Sequence, residues 1–142
     1  MKNNKLVMIM IIMLVAITLV GAVAVIVVKQ LNDNSGPKEP SIDEVLKASV
    51  DVPQITTNLA SNDFIRISFK IQTDNKKAKE ELEKRDFQVK DIIIQELSEM
   101  TAEEIQGKEG QTKIKEALKE KINGLMQKGK VEEVFITESL LQ

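Results

Sequence analysis

Residues 64–72, FIRISFKIQ, decide how the polar part of this chain folds. Ile65, Ile67, Phe69 and Ile71 occupy every second position, and polar residues stand between them. Because successive side chains of a strand point to opposite sides, the four apolar residues share one face. The pattern predicts a strand with one buried side and one side facing water.

The residues before this strand predict its partner. Residues 52–59 mix Ile and Thr with Pro53, which belongs at the edge or at the start of a strand. The short, turn-forming stretch 60–63 joins the two strands into an antiparallel hairpin. Further upstream, residues 41–44 have capping-box spacing and predict a short helix that ends near Val50.

After the hairpin the apolar spacing becomes helical. Residues 76–100 predict one helix, with many Lys and Glu residues on its solvent side. Its apolar stripe consists of Leu82, Val89, Ile93 and Leu97. The run Ile92, Ile93, Ile94 is wider than this stripe needs, so we expect burial on a second side, against either the sheet or a neighbouring subunit.

The remaining sequence predicts two helical segments and a strand. Residues 101–104 repeat the capping-box pattern and open a short turn, and residues 108–128 form a long amphipathic helix that ends at Gly129. Residues 131–141 form the last strand. In that strand, we expect one face to hold Val134, Ile136 and Leu140 and the other face to hold Phe135.

The order of elements predicts the fold class. It is an α/β (α+β) domain of two layers, a mixed sheet of about three strands with helices packed on one face. The mixed sheet is expected because the connection to the last strand passes through helices.

A different composition precedes this domain. Residues 6–28, from Leu6 to Val28, carry no charge and would reach roughly 34 Å as a helix, enough to cross a bilayer core of about 30 Å. A cleaved signal peptide is the alternative, because residues 22–24 read Ala-Val-Ala after a basic start. The apolar run is longer than the 7–15 residues or so of such a peptide, which favours a retained single-pass transmembrane helix.

The resulting plan has four parts. Residues 1–5 form a cytoplasmic tail, residues 6–28 cross the membrane, residues 29–40 form a linker rich in Gly, Pro and polar residues, and residues 41–142 form an extracytoplasmic domain. Two lysines and the α-amine in the short tail favour a cytoplasmic amino terminus, although two lysines also follow the span.

Composition excludes several kinds of chemistry. The chain has no His and no Cys, so it can build no Cys- or His-based zinc site, haem axial pair, thiol redox pair or Ser-His-Asp triad. Adjacent acidic residues diverge on strands and helices and do not form a converging pair. A net charge of −2 argues against nucleic acid. We therefore predict no catalytic, cofactor-binding or metal-binding residue, no cofactor, no small-molecule substrate, and contacts with other proteins and the lipid bilayer.

The carboxy-terminal half resembles the family of flagellar basal-body-associated FliL proteins. The resemblance covers residues 86–142 in pattern and nearly the whole chain in architecture. Ser139 stands where members of the family often carry an aromatic residue. The matching features are Val89-Lys-Asp-Ile-Ile, Glu109-Gly110, Ile122-Asn123, Gly129-Lys-Val131, Val134-Phe135-Ile-Thr137 and the final Gln142.

This resemblance implies a non-enzymatic protein of the bacterial cytoplasmic (inner) membrane, located at the flagellar basal body. It implies an outer domain similar to the stomatin or SPFH fold and a ring-like homo-oligomer. It also implies that the protein associates with and stabilises the ion-driven stator proteins MotA and MotB, in support of motor torque, swimming, swarming and chemotactic motility. Candidate residues for an oligomer or partner interface are Pro53, Ile92, Ile93, Ile94 and Phe135. The alternatives are another single-pass envelope scaffold or an anchored exported hydrolase.

Overall fold

The computed structural model describes residues 2–33 and 38–142. The chain divides into two compact units, residues 1–39 and residues 40–142. Each unit has its own secondary structure, and each is described separately.

The first unit is one helix, α1, which spans Lys2–Asp33. The predicted span Leu6–Val28 lies inside it, and the helix continues five residues past Val28. The last helical residues were expected in the linker, and residues 34–37 of that linker lie outside the described part of the chain. The apolar side chains of α1 are exposed, and the helix is long and apolar enough to cross a membrane by length and composition.

The second unit is an α+β domain with a sheet of three strands in the order β1-β2-β3. Both strand pairs are antiparallel. The elements in chain order are α2 (Ile42–Lys47), β1 (Ser49–Asn58), β2 (Phe64–Thr73), α3 (Lys76–Lys84), α4 (Asp86–Ser98), α5 (Ala102–Gln106), α6 (Lys108–Asn123) and β3 (Val131–Leu141).

The prediction of a mixed sheet was therefore wrong. Helices α3 and α4 carry the chain from the end of β2 to the hairpin end of the sheet, where Ala60 N–H donates to the carbonyl of Met100. Helix α6 then brings it back, and Asp74 N–H donates to the carbonyl of Lys130 at the end where β2 finished. Because the helical connection crosses the sheet twice, β3 starts beside the end of β2 and runs antiparallel to it.

The buried face of β2 is confirmed as the centre of the core. Ile65, Ile67 and Ile71 are fully buried, and Phe69 is 1% exposed. The helices cover this face with the buried residues Leu82, Val89, Ile93, Leu97, Ile105, Ile114, Leu118 and Ile122. The apolar stripes predicted for the helices thus face the sheet.

The stretch predicted as one helix over residues 76–100 is two helices, α3 and α4, which meet at Arg85. At this junction the guanidinium of Arg85 donates to the carboxylate of Glu81, at 3.0 Å, and to the side-chain oxygen of Gln88, at 2.8 Å. The buried carboxylate of Glu81 also accepts the backbone N–H groups of Gln127 and Lys128, at 2.9 and 2.7 Å. Glu81 therefore fastens the α6–β3 loop to the helical layer.

Helix α6 ends at Asn123, five residues earlier than predicted, and Gly129 is not its cap. The Asn123 side chain turns to β3, where its oxygen accepts the N–H of Val131 at 2.6 Å and its nitrogen donates to the carbonyl of Val131 at 3.1 Å. Gly129 adopts φ +148° in the following loop, where a Cβ atom would lie 2.5 Å from side-chain atoms of Asp74 and Asn75. A glycine is required there because both the dihedral angle and the space exclude a side chain.

The predicted face of Leu140 is also wrong. Ile136 pairs with Phe69 on the core face, but the register then shifts, because Glu138 pairs with Ser68. The extra residue, Thr137, is a β-bulge, and it turns every later side chain of β3 to the other face. Leu140 consequently pairs with Arg66 on the outer face of the sheet.

The two predicted capping boxes are confirmed. Ser41 caps α2 together with Glu44, and Thr101 caps α5 together with Glu104. The backbone N–H of Thr101 donates to the Glu104 carboxylate and lowers the pKa of that group below its ordinary value. Both short helices thus carry a local signal that fixes where they begin.

Candidate interaction surface

Among the described residues, two kinds of site are absent, metal-ligand groups and unpaired buried polar atoms. Within residues 2–33 and 38–142, no group of three or more acidic side chains is placed to hold a metal ion. Over the same residues, every buried side-chain nitrogen and oxygen atom has a hydrogen-bond partner.

A cavity of about 840 Å³ opens between α2 and the start of α3. Its lining mixes cations such as Lys76 and Lys79 with carboxylates such as Glu44, Asp74 and Glu132. Opposite charges at the rim leave no single-sign field that would attract one class of charged ligand.

The outer face of the sheet faces away from the helices, and the hairpin end of it carries an apolar pair. Phe64 is 50% exposed and Leu140 is 45% exposed. Backbone hydrogen bonds in both directions, 2.9 and 2.8 Å, hold Phe64 against Gln142. Arg66 lies between Leu140 and Thr56 on the same face, and its guanidinium has no ion-pair partner among the described residues. This group, Phe64, Arg66 and Leu140, is called the hairpin-end patch.

The far half of the outer face is more polar. Lys70 forms an ion pair with Asp51 of β1 at 3.2 Å, and on its other side it pairs with Phe135 of β3. The Phe135 side chain is 40% exposed, as the predicted orientation away from Val134 requires. Between the two halves, Gln54 donates to Glu138 at 3.4 Å across the central strand.

The three isoleucines of α4 have three different environments. Ile93 is fully buried in the core and cannot be part of a contact surface. Ile92 is half-buried against the core, and Ile94 is 42% exposed. Phe87 stands seven residues before Ile94, on the same side of α4, and is 71% exposed. Phe87 and Ile94 form the α4 strip.

Pro53 is exposed on β1, an edge strand. The register shifts between Val52 and Ile55, so that Pro53 and Gln54 together oppose Ser68 of β2. Proline suits this position, because its nitrogen donates no hydrogen bond and the bulge already interrupts the ladder.

The sequence-predicted interface residues do not form one patch. Phe135 and Pro53 lie on the sheet layer, on the two strands that flank β2, whereas Ile94 lies on the helical layer. Five further exposed apolar residues of the domain were not among the predicted ones: Ile42, Leu46, Phe64, Phe87 and Leu140. The seven-residue spacing between Phe87 and Ile94 could have indicated the α4 strip, but the exposure of Leu140 depends on a bulge that the sequence does not signal.

The comparisons with known proteins agree with each other. Residues 49–142 match the family described as flagellar basal body-associated protein FliL, and the match begins at the first residue of β1. The flagellar protein FliL of Bacillus subtilis (strain 168) is 50% identical over 122 residues, which is 86% of each chain. The flagellar protein FliL of Aquifex aeolicus (strain VF5) is 30% identical over 93 residues, which is 63% of this chain and 58% of that protein.

Three residues of the sequence pattern that resembles this family have structural roles in the domain. Ile122 is in the core, Asn123 brackets the first residue of β3, and Gly129 fills a position that admits no side chain. The match extends over the whole sheet and its helical layer. By the extent of this match and its identity to the Bacillus protein, the chain belongs to the FliL family of flagellar basal body-associated proteins.

Proposed function

We propose that this protein is a membrane-anchored, non-enzymatic component of the flagellar basal body that associates with the MotA and MotB stator and stabilises it. Membership of the FliL family carries the flagellar part of the proposal. The open outer face of the sheet, with the exposed hairpin-end patch, supports a role in protein contact.

The proposal includes the location of each unit. Helix α1 anchors the chain in the cytoplasmic membrane as a single span, and the domain lies outside it. The exposed apolar side chains of α1 support this, because an aqueous environment would leave the uncharged apolar stretch Leu6–Val28 unburied. A likeness of the domain to the stomatin fold belongs to the same proposal.

Self-association into a ring is a further part of the proposal. A ring needs two surfaces that complement each other without being identical. The α4 strip and the exposed part of β1 around Pro53 supply two different surfaces, one on each layer of the domain. Cysteine pairs can test this contact because the chain has no Cys of its own.

For that test, membranes are prepared from cells that express Ile94→Cys and Gln54→Cys chains together. A disulfide between the two different chains is expected, whereas Glu116→Cys on the exposed side of α6 should give none with either. Equal cross-linking of all three pairs would contradict a specific ring contact.

The stabilising action follows from differential binding. A stator segment that alternates between a compact and an extended arrangement shifts towards the one that the FliL domain binds more tightly. Anchoring of both partners in one membrane raises their effective concentration, so weak contacts through the sheet face suffice.

The main experiment replaces the chromosomal gene by a deletion and by surface variants. The deletion is expected to reduce swimming and swarming under load, and a fluorescent fusion is expected to form foci at flagellar bases. The double variant Phe135→Ser and Leu140→Ser should keep the fold, since both side chains are about half exposed, but should lower stator occupancy. Glu116→Ser serves as the matched surface control.

Normal motility of the deletion strain together with diffuse membrane fluorescence would refute the flagellar role. Normal stator occupancy in the double variant, with foci retained, would refute the use of the outer sheet face alone and would leave the basal-body location standing.

A further inference from the structure

Helix α2 carries an apolar stripe that the domain does not cover. Ile42 is 70% exposed and Leu46 is 49% exposed. Their spacing of four residues places them about 40° apart around the helix, so they form one stripe. Val45 and Ala48, on the neighbouring side, are half-buried and line the cavity beside α3. The stripe therefore points away from the domain core.

The domain holds α2 in this orientation. The carbonyl of Ala48, at the carboxyl end of α2, accepts the N–H of Thr73 at 2.9 Å and its hydroxyl at 2.6 Å. The Ser49 hydroxyl donates back to the carbonyl of Val45. The capping box at Ser41 fixes the other end. Because both ends are fixed, exposure of the stripe is a property of the folded domain and not of a frayed terminus.

The chain length limits how far α2 can be from a membrane that α1 crosses. The helix continues about 7 Å beyond Val28, and the eight residues between Asp33 and Ile42 reach at most about 28 Å when fully extended. With the proposed anchor in place, the chain length therefore keeps a lipid surface within reach of the stripe.

Charge around α2 does not favour an acidic or a basic macromolecule. Residues 38–47 contain two lysines and three carboxylates, a net charge of −1. An apolar stripe with nearly balanced flanks fits the boundary between lipid headgroups and acyl chains, where a short amphipathic helix inserts by about 5–10 Å.

We propose that α2 docks on the lipid surface through Ile42 and Leu46 and thereby sets the orientation of the domain above the membrane. The proposal rests on the membrane anchor proposed above and is independent of the stator. The tether supplies a high effective concentration at the surface, so two side chains are enough to hold a contact that would be too weak for a free helix.

The test uses the absence of Trp from the chain. Three single-Trp versions of the full-length protein are reconstituted in phosphatidylcholine vesicles with and without brominated acyl chains. Leu46→Trp reports on α2, Ile17→Trp reports on the anchor, and Phe64→Trp is the matched control. Phe64 is as exposed as Leu46 but stands about 30 Å along β2 from Thr73.

The expected result is quenching of Leu46→Trp by about twofold in brominated vesicles, and none for Phe64→Trp. Adding Ile42→Asp to the Leu46→Trp chain should remove the quenching, because it places a charge in the stripe. Anionic lipid at equal chain composition should change the result little, since the contact is apolar.

Four results would overturn the proposal. In the first, Leu46→Trp remains unquenched while Ile17→Trp is quenched. In the second, the emission of Leu46→Trp shifts to shorter wavelength without quenching, which would show that protein covers the stripe. Equal quenching of Leu46→Trp and Phe64→Trp would show an unspecific collapse of the domain on the bilayer. An unquenched Ile17→Trp would refute the anchor itself together with the docking, and would leave the stator contact to be judged by motility.

Discussion

Asn123 joins the helical layer to the last strand, and its replacement by Ala is the sharpest test of how the domain is closed. The Asn123 side chain makes two hydrogen bonds with the backbone of Val131, one as acceptor at 2.6 Å and one as donor at 3.1 Å. These two bonds take the place of those that the backbone of a neighbouring strand would form with Val131. Val131 itself is fully buried, so its backbone groups lie at the margin of the core.

The magnitude follows from what Asn123→Ala leaves behind. A buried N–H or C=O without a partner costs about 1–3 kcal/mol, and partial exposure of Asn123 admits some water, which favours the lower part of this range. For the two groups together we expect the free energy of unfolding to fall by about 2–3 kcal/mol. In a domain of this size that corresponds to a decrease of roughly 10–20 °C in Tm.

The assay is urea unfolding of the full-length chain in detergent micelles, followed by far-ultraviolet circular dichroism. Helix α1 contributes a constant background, because the micelle keeps it helical. Asn58→Ala is the matched control, since Asn58 is exposed and makes no side-chain hydrogen bond within the described residues, and its effect should stay within about 0.5 kcal/mol.

Hydrogen exchange supplies a second reading of the same change. The Val131 amide should exchange much faster in Asn123→Ala, whereas the amides at the centre of β2 should change only by the global loss of stability. The reasoning fails if Asn123→Ala is as stable as the Asn58→Ala control and its Val131 amide stays protected from exchange. In that case the two Asn123–Val131 hydrogen bonds do not stabilise the contact between the helical layer and β3.

Three further changes test other parts of the fold by the same unfolding assay. Ile67→Ala should cost about 3–4 kcal/mol, because it leaves a cavity at the centre of the core, whereas Ile42→Ala at an exposed position should cost less than about 0.5. Gly129→Ala should cost about 1–3 kcal/mol, since φ is +148° and there is no room for Cβ. Gly124→Ala should cost less, because φ is −61° and the nearest atom to a Cβ is the Lys121 carbonyl oxygen at 3.3 Å. Burial acts to raise the pKa of Glu81, but the hydrogen bonds that its carboxylate accepts outweigh burial and lower that pKa. The ionised carboxylate therefore stabilises the fold fully above the ordinary pKa of 4.5, and this stabilisation is lost as the pH falls through the lowered pKa. In Glu81→Gln, the free energy of unfolding should depend less on pH in the acid range.

The alternation of residues 64–72 was enough to predict β2 and its buried face. Successive side chains of a strand point to opposite faces, so apolar residues at every second position show directly which face is buried. The capping boxes at Ser41 and Thr101 were predictable for a similar reason, because the partners are three residues apart. Local signals of this kind need no knowledge of the tertiary fold.

The end of α6 could not be predicted in the same way. Leu125 and Met126 continue the apolar spacing past Asn123, so the sequence reads as one helix up to Gly129. The helix ends earlier because the Asn123 side chain bonds to Val131, a residue eight positions away on another element. A contact between two elements decides where this helix ends, and helix propensity alone does not predict it.

The candidate surface was predicted only in part for a related reason. The exposure of Phe135 follows from alternation within β3, and the structure agrees. The exposure of Leu140 follows from the bulge at Thr137, which exists only in the pairing with β2. In the run of isoleucines, helical spacing assigns Ile93 to the core, while Ile92 is half-buried against the core and Ile94 is 42% exposed. Burial of Ile94 by a neighbouring subunit stays a prediction.

Both edge strands are interrupted at the same level of the sheet, and this bears on how the protein meets its partners. Pro53 and Gln54 bulge on β1 opposite Ser68, and Thr137 bulges on β3 next to the same residue. A bulge breaks the row of free N–H and C=O groups that an added strand would use, and Pro53 removes a donor as well. Addition of a partner strand along the full length of either edge is therefore disfavoured. Under the proposed function, we therefore expect recognition through side chains, and the exposed apolar residues on the outer face, on α4 and on α2 are available for it.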